Sequence, residues 1–320
     1  MEPFLLEPAG KNYPWGGSNL KKVYGKKSAL APLAETWECS THPDGLSRIA
    51  SGPYSGMTLK GFLQNFPEAL GKDGSENGEL PFLVKLVDAE QDLPIQVCPS
   101  DSHTQVHEGP LDKMKMWYVL HADPGATLAY GFAHDVTADI VRKAIEDDTL
   151  LVHLQTVPVH REDVFLIDPG VAHAIGGGVL IAEVQGRTNV AYPVYNYAKK
   201  CDDENLLRSV DRGKGLSVMK FSASSIVRQR QRIVQYVPGM AKELICRCHY
   251  FQVERLQIAK PVELPSREQA FCVLLVVGGE GKIVFGNQQL FVTEGDTVFV
   301  PSGSGELIIE GLLQILMIRA

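Results

Sequence analysis

Asp163-Val164-Phe165-Leu166-Ile167-Asp168-Pro169-Gly170 reads as a short apolar strand, entered from an acid and left through a Pro-Gly turn. Gly295-Asp296-Thr297-Val298-Phe299-Val300-Pro301-Ser302-Gly303 repeats that pattern. A strand and turn of this kind forms one corner of a small antiparallel β-barrel or jelly roll. The expected fold class is mainly β, with two such barrels. The repeats differ after the turn. His173 follows the first, whereas Ser304, Gly305 and Glu306 follow the second. Only the first unit offers a metal-ligating side chain there, so the second is read as structural.

Alternation predicts further strands at Ala34–Ser40, Leu46–Ala50, Phe82–Val87, Pro94–Cys98, Met114–Leu120 and Gly178–Val184. Thr58 is placed to cap a short helix. Thr137 is placed to cap a second, with Ile140, Val141, Ala144 and Ile145 on one face. Residues 72–79 read as a polar loop. The expected organisation is a first unit over 1–200 with a helical insertion at about 125–160, a connector over 201–239, and a second unit over 240–320.

The 320 residues are 44% hydrophobic and 22% charged, with net charge −7 and no basic stripe, which argues against nucleic acid as a partner. Met1-Glu2-Pro3-Phe4-Leu5-Leu6-Glu7 has no basic region followed by a long apolar run, so no signal peptide is expected, and without a run of roughly 18 apolar residues no membrane span is expected. The six cysteines form neither a CxxC pair nor a disulfide ladder, which fits reduced thiols in the cytoplasm. Cys246, Cys248 and His249 invite a metal reading but lack a fourth partner, and they are read as ordinary strand residues.

Strand spacing assembles a candidate pocket. Gln96 and Cys98 face one way, and Lys113, Lys115 and Trp117 share a face of the next strand, opposite Met114, Met116 and Tyr118. His173 follows its turn. Spacing alone leaves open a surface or hydrogen-bonded histidine, a solvated Lys113, and a Glu183 that is merely a polar barrel residue. Trp37, Trp117 and Tyr118 read as core packing.

Several stretches in order resemble the type I phosphomannose isomerases: Tyr13-Pro14-Trp15-Gly16-Gly17, Ala34-Glu35-Thr36-Trp37-Glu38, Pro81–Ala89, Met116–Leu120, His173–Gly176 and Leu180–Gln185. The resemblance implies cupin-like barrels with a helical insertion. It also implies a phosphorylated hexose as partner, in a monomer or homodimer. The implied reaction converts mannose 6-phosphate to fructose 6-phosphate through a cis-enediol, with zinc polarising the substrate oxygens. Trp15 and Glu183 would line the substrate pocket.

Carried over residue by residue, the family's Gln, His, Glu and His ligands fall on Gln96, Cys98, Lys115 and His173. The family's catalytic Lys is retained as Lys113. Its catalytic Arg becomes Pro193, and a substrate-binding Ser becomes Pro94. Cys98 keeps the ability to bind zinc. The Lys115 ammonium has no lone pair to give a metal. Gln96, Cys98 and His173 are then a three-ligand site. A second arrangement places the Lys115 ammonium where the cation would be, paired with Cys98 thiolate. Pro193 removes a charged planar donor and confines its strand to an edge or bulge. Arg187 lies six residues from that position and is not equivalent to it.

Three functions follow. The first is the family's aldose–ketose isomerisation. The second is a catalytically impaired relative binding a sugar phosphate or regulatory partner. The third is altered chemistry using Cys98 with Lys113 or Lys115.

Overall fold

The structure is a computed structural model, described here over residues 1–72, 77–99, 113–196, 212–225, 233–264 and 269–320. Parts of the 72–79 loop and of the 201–239 connector, together with Asp112 and Cys201, lie outside the described residues.

Three antiparallel sheets form the body. A six-stranded sheet runs Val164–Ile167, Lys115–Ala122, Val179–Gly186, Phe82–Ala89, Glu35–Cys39, Ala9–Lys11. A five-stranded sheet runs Tyr192–Tyr195, Ile95–Val97, His173–Ile175, Thr127–Phe132, Leu154–Pro158. The C-terminal strands build a ten-stranded sheet. The mainly β expectation holds. The first unit is a pair of facing sheets; among the described residues no ladder joins the six-stranded to the five-stranded one.

Burial explains the sequence patterns. Every residue of Phe82–Ala89 and Val179–Gly186 is buried, because the six-stranded sheet is covered on both sides. On one face Met116, Tyr118 and Val184 pack against Val273, Leu275 and Phe299 of the ten-stranded sheet. On the other, Trp117, Val119 and Ile181 pack with Leu128, Tyr130 and Ile175 of the five-stranded sheet. Alternate residues of one strand thus serve two cores.

The N-terminal strand Phe4–Glu7 pairs with Thr297–Val300, so the ten-stranded sheet takes strands from both ends of the chain. Glu38 strengthens this junction. Its buried carboxylate accepts from Lys26 Nζ at 2.7 Å, Thr36 Oγ1 at 2.7 Å and Thr297 Oγ1 at 2.9 Å.

The repeated corners form as read. Val164–Ile167 and Thr297–Val300 are strands, and the turns after them place Gly170 and Gly303 at φ 84° and 71°. That left-handed region suits glycine. Thr58 caps the helix Leu59–Asn65, its hydroxyl accepting from Gly61 N at 3.1 Å. Thr137 caps Ala138–Glu146 in the same way, at 3.3 Å from Ile140 N. Val141, Ala144 and Ile145 of that helix are buried. Ile140 is a correction: it is 44% exposed, because the apolar stripe is narrower than the four-residue reading allowed. No helix among the described residues is long and apolar enough to cross a membrane.

Candidate active site

Two facing rows of side chains define the site. Ladder pairing puts Trp117, Glu183, Lys85 and Trp37 in one line across four strands of the six-stranded sheet. Pairing in the five-stranded sheet lines up Pro193, Gln96, His173 and Tyr130. Directly paired residues share a face, and the rows meet where the Trp117 and His173 rings lie edge to face at 5.6 Å. A cavity of ≈ 520 Å³ opens beside this contact, and Trp15, Gln96, Lys113, Lys115, Glu183 and Pro193 all border it. That volume is in the range of small-molecule sites.

The polar groups are tightly interlocked. Glu183 Oε2 accepts from Trp117 Nε1 at 2.6 Å and lies 3.4 Å from Lys115 Nζ. One row along, Glu35 Oε2 accepts from Trp37 Nε1 at 2.8 Å and faces Lys85 Nζ at 3.5 Å. Lys85 also donates to Asn189 Oδ1 at 3.0 Å, and Lys113 Nζ donates to the Val190 carbonyl at 3.2 Å. His173 is fully buried, and its Nδ1–H donates to the Val171 carbonyl at 2.8 Å. This leaves Nε2 facing Cys98 Sγ at 4.0 Å.

Burial and charge compete at each group. Burial would push the Cys98 thiol up, but Lys115, Lys113 and the His173 contact outweigh it and bring the pKa down to about 6. Burial pulls Lys113 down to about 7, against the attraction of Cys98. Burial also opposes the charge on Lys115, yet Cys98 and Glu183 hold its ammonium above the ordinary lysine range. Glu183 would rise on burial, but Lys115, Lys85, Lys113 and the Trp117 hydrogen bond hold it at about 2.

The structure therefore gathers Trp15, Gln96, Lys113, Lys115, Glu183 and Pro193 around one cavity, while Cys98 and His173 are buried against each other and do not border it. Lys113 is buried rather than solvated, and Glu183 faces the pocket. Pro193 lies on an edge strand whose register shifts just after it, as a proline in a ladder requires. Trp37 and Trp117 do more than pack, since each anchors a pocket carboxylate. Arg187 instead pairs with Glu79 at 3.2 Å, away from the cavity. Glu35, Lys85 and Asn189 also border the cavity, and strand spacing does not single them out. The available signal was Lys85 itself, a charge inside the otherwise apolar run Phe82–Val87. In the second unit, a cavity of ≈ 470 Å³ is mostly apolar, bordered by Leu256, Val300, Leu307 and Met317.

A divalent zinc does not fit these residues. Gln96, Cys98 and His173 carry donor atoms, but Lys115, which the resemblance aligns with the family's fourth ligand, presents an ammonium already paired with Glu183. Each unit of like charge about 4 Å from that ammonium is repelled by about 4 kcal/mol at an effective dielectric near 20, and zinc carries two. Among the described residues, no three His, Cys, Asp or Glu side chains come together to hold a metal, Cys246, Cys248 and His249 included.

Comparison with known proteins agrees with this architecture. Residues 4–123 match the family model for the phosphomannose isomerase type I catalytic domain, and residues 241–320 match that for the mannose-6-phosphate isomerase cupin domain. The chain is 30% identical over 317 residues to the probable mannose-6-phosphate isomerase GmuF of Bacillus subtilis, covering 98% of each. The crystal structure of the Bacillus subtilis mannose 6-phosphate isomerase matches with a TM-score of 0.90 at 23% identity, over 100% of both chains. A mannose 6-phosphate isomerase structure bound with zinc and yttrium matches at 0.73 and 16% identity, covering 100% of this chain and 99% of the other. With the cupin fold, the motifs in order and whole-length similarity in agreement, the chain belongs to the type I phosphomannose isomerase family.

Proposed function

We propose that the first-unit pocket binds a phosphorylated hexose and interconverts mannose 6-phosphate and fructose 6-phosphate. The observation that carries this reading is the meeting of two rows, Trp117–Glu183–Lys85–Trp37 and Pro193–Gln96–His173–Tyr130, beside a cavity of sugar-phosphate size. The reaction moves a proton between C1 and C2 through a cis-enediol. Its demands are a group that exchanges protons near neutral pH and positive charge for the developing oxyanion. Lys113, held near 7, suits the first; Lys115 suits the second. Gln96 supplies a neutral amide to sugar hydroxyls at the cavity wall.

A second reading has its own support. Lys115 replaces a carboxylate, and Pro193 removes a cationic donor of a kind that commonly accelerates by on the order of 100-fold. A relative so altered would bind the sugar phosphate and turn it over poorly. A coupled assay of mannose 6-phosphate turnover separates the two. Robust wild-type turnover supports isomerisation. Background turnover with retained sugar-phosphate binding supports the impaired relative.

The chain is proposed to act in the cytoplasm as a monomer or homodimer. The described cysteines, Cys39, Cys98, Cys246, Cys248 and Cys272, are free thiols, which suits a reducing compartment. The 201–239 segment is proposed to connect a first cupin-like unit carrying the pocket to a second without ligands. The first strand is lent to the second unit's sheet.

A further inference from the structure

The acids of this pocket already have amine partners. Glu183 holds Lys115, and Glu35 holds Lys85. Cys98 feels the charges of Lys115 and Lys113. All three lysines are buried. Lys115 is also fixed in position, because Glu183 is itself pinned by the Trp117 indole at 2.6 Å. A buried ammonium on a strand, aimed into a cavity and backed by a fixed carboxylate, is a resident cation that cannot diffuse away. Gln96, on the opposite sheet and directly paired with His173, borders the same cavity as Lys115.

We propose that the Lys115 ammonium takes the place of a divalent metal in this pocket and is the cation presented to the oxygens of a bound sugar phosphate. The choice of ligand rests on the functional reading above; the displacement of the metal does not. One positive charge replaces two, so the pocket polarises a sugar hydroxyl less than a metal would. Binding is independent of divalent ions, because the cation is covalently part of the chain.

The test uses the full chain purified without chelator. Zinc content by plasma mass spectrometry is expected to be far below one per chain, with no shift in Tm on adding zinc. The variant Lys115→Glu with Cys98→His restores four donors and is expected to retain about one zinc, which raises its Tm. One tightly held zinc per wild-type chain overturns the proposal, and so does a folded double variant that takes up none. Should that variant fail to fold, Lys115→Met with Glu183→Gln removes both charges at nearly constant volume. Calorimetry with mannose 6-phosphate in the presence of chelator then reads the cation directly. Wild-type affinity is expected to be unchanged by chelator, and the neutral variant to bind at least about 10-fold more weakly, the weight of one charge-assisted hydrogen bond. Equal affinity of the two overturns the proposal. Zinc-free wild-type protein that fails to bind mannose 6-phosphate contradicts the functional reading and leaves the metal-free pocket standing.

Discussion

Lys115 Nζ lies 3.4 Å from Glu183 Oε2, although the two are not ladder partners: Lys115 stands opposite Gln185, and Glu183 stands opposite Trp117. The pair is a diagonal contact on one face of adjacent strands, within reach only of a long side chain. Both residues are almost fully buried, at 3% and 4% exposure.

Breaking that pair from one side leaves a buried carboxylate without its cation. Lys115→Met is expected to cost about 3 to 5 kcal/mol. Lys115→Met with Glu183→Gln is expected to recover most of it. Urea denaturation of the two variants beside wild type measures the difference. A single variant as stable as wild type would mean that the pair is not formed.

Acid sensitivity follows from the same carboxylate. The pKa of Glu183 drops from its ordinary 4.5 to about 2 on folding. A depressed folded-state value contributes stability that is fully present above the unfolded value. That contribution is lost as pH falls from 4.5 through 2. The wild-type urea midpoint is expected to fall across this window more steeply than that of Glu183→Gln. Parallel curves would refute the assignment.

Cys98 offers an optical readout. Its thiol is brought from 9 to about 6, so thiolate ultraviolet absorbance lost in Cys98→Ser is expected to titrate near 6. The sign for stability matches that of Glu183: the contribution is complete above 9 and is lost as pH falls through 6. Lys113, near 7, titrates in the same range, and Lys113→Met is expected to raise the thiol midpoint by removing a favourable charge. No change in that midpoint would contradict the coupling.

Pro193 occupies an edge strand, so restoring a side chain there disturbs little. Pro193→Arg is expected to change stability by no more than about 1 kcal/mol while placing a guanidinium at the cavity wall. If the missing donor limits turnover, the rate with mannose 6-phosphate rises by on the order of 100-fold. An unchanged rate in a folded variant would show that Pro193 is not the limiting replacement.

Glu38 joins the two halves through Lys26, Thr36 and Thr297. Glu38→Ala takes the carboxylate from a partly buried ammonium, which keeps its bond to the Gly295 carbonyl, and removes the acceptor of two hydroxyls at the junction. The expected cost is about 3 kcal/mol or more, seen as a lower urea midpoint, with the cavity chemistry unaltered. A midpoint within error of wild type would remove Glu38 from the junction's support.

The strands Thr127–Phe132 and Leu154–Pro158 fall inside the stretch expected as a helical insertion, so the sequence alone conveys the mainly β class, most strands of the six-stranded sheet, the repeated corners, both threonine caps and the family. Each depends on local chemistry: alternation, a Pro-Gly turn, or a hydroxyl three residues before a helical N–H. It also named Gln96, Cys98, Lys113, Lys115, His173 and Glu183, because strand period and ordered motifs placed them at corresponding positions. Which groups neutralise one another was settled only by the tertiary structure. Lys115 meets Glu183 across a diagonal, Lys85 meets Glu35 from another strand, and His173 turns toward Cys98 because Val171 holds its other nitrogen. Those contacts depend on register between strands distant in sequence and on a sheet buried on both faces. Periodicity along one strand carries no information about either.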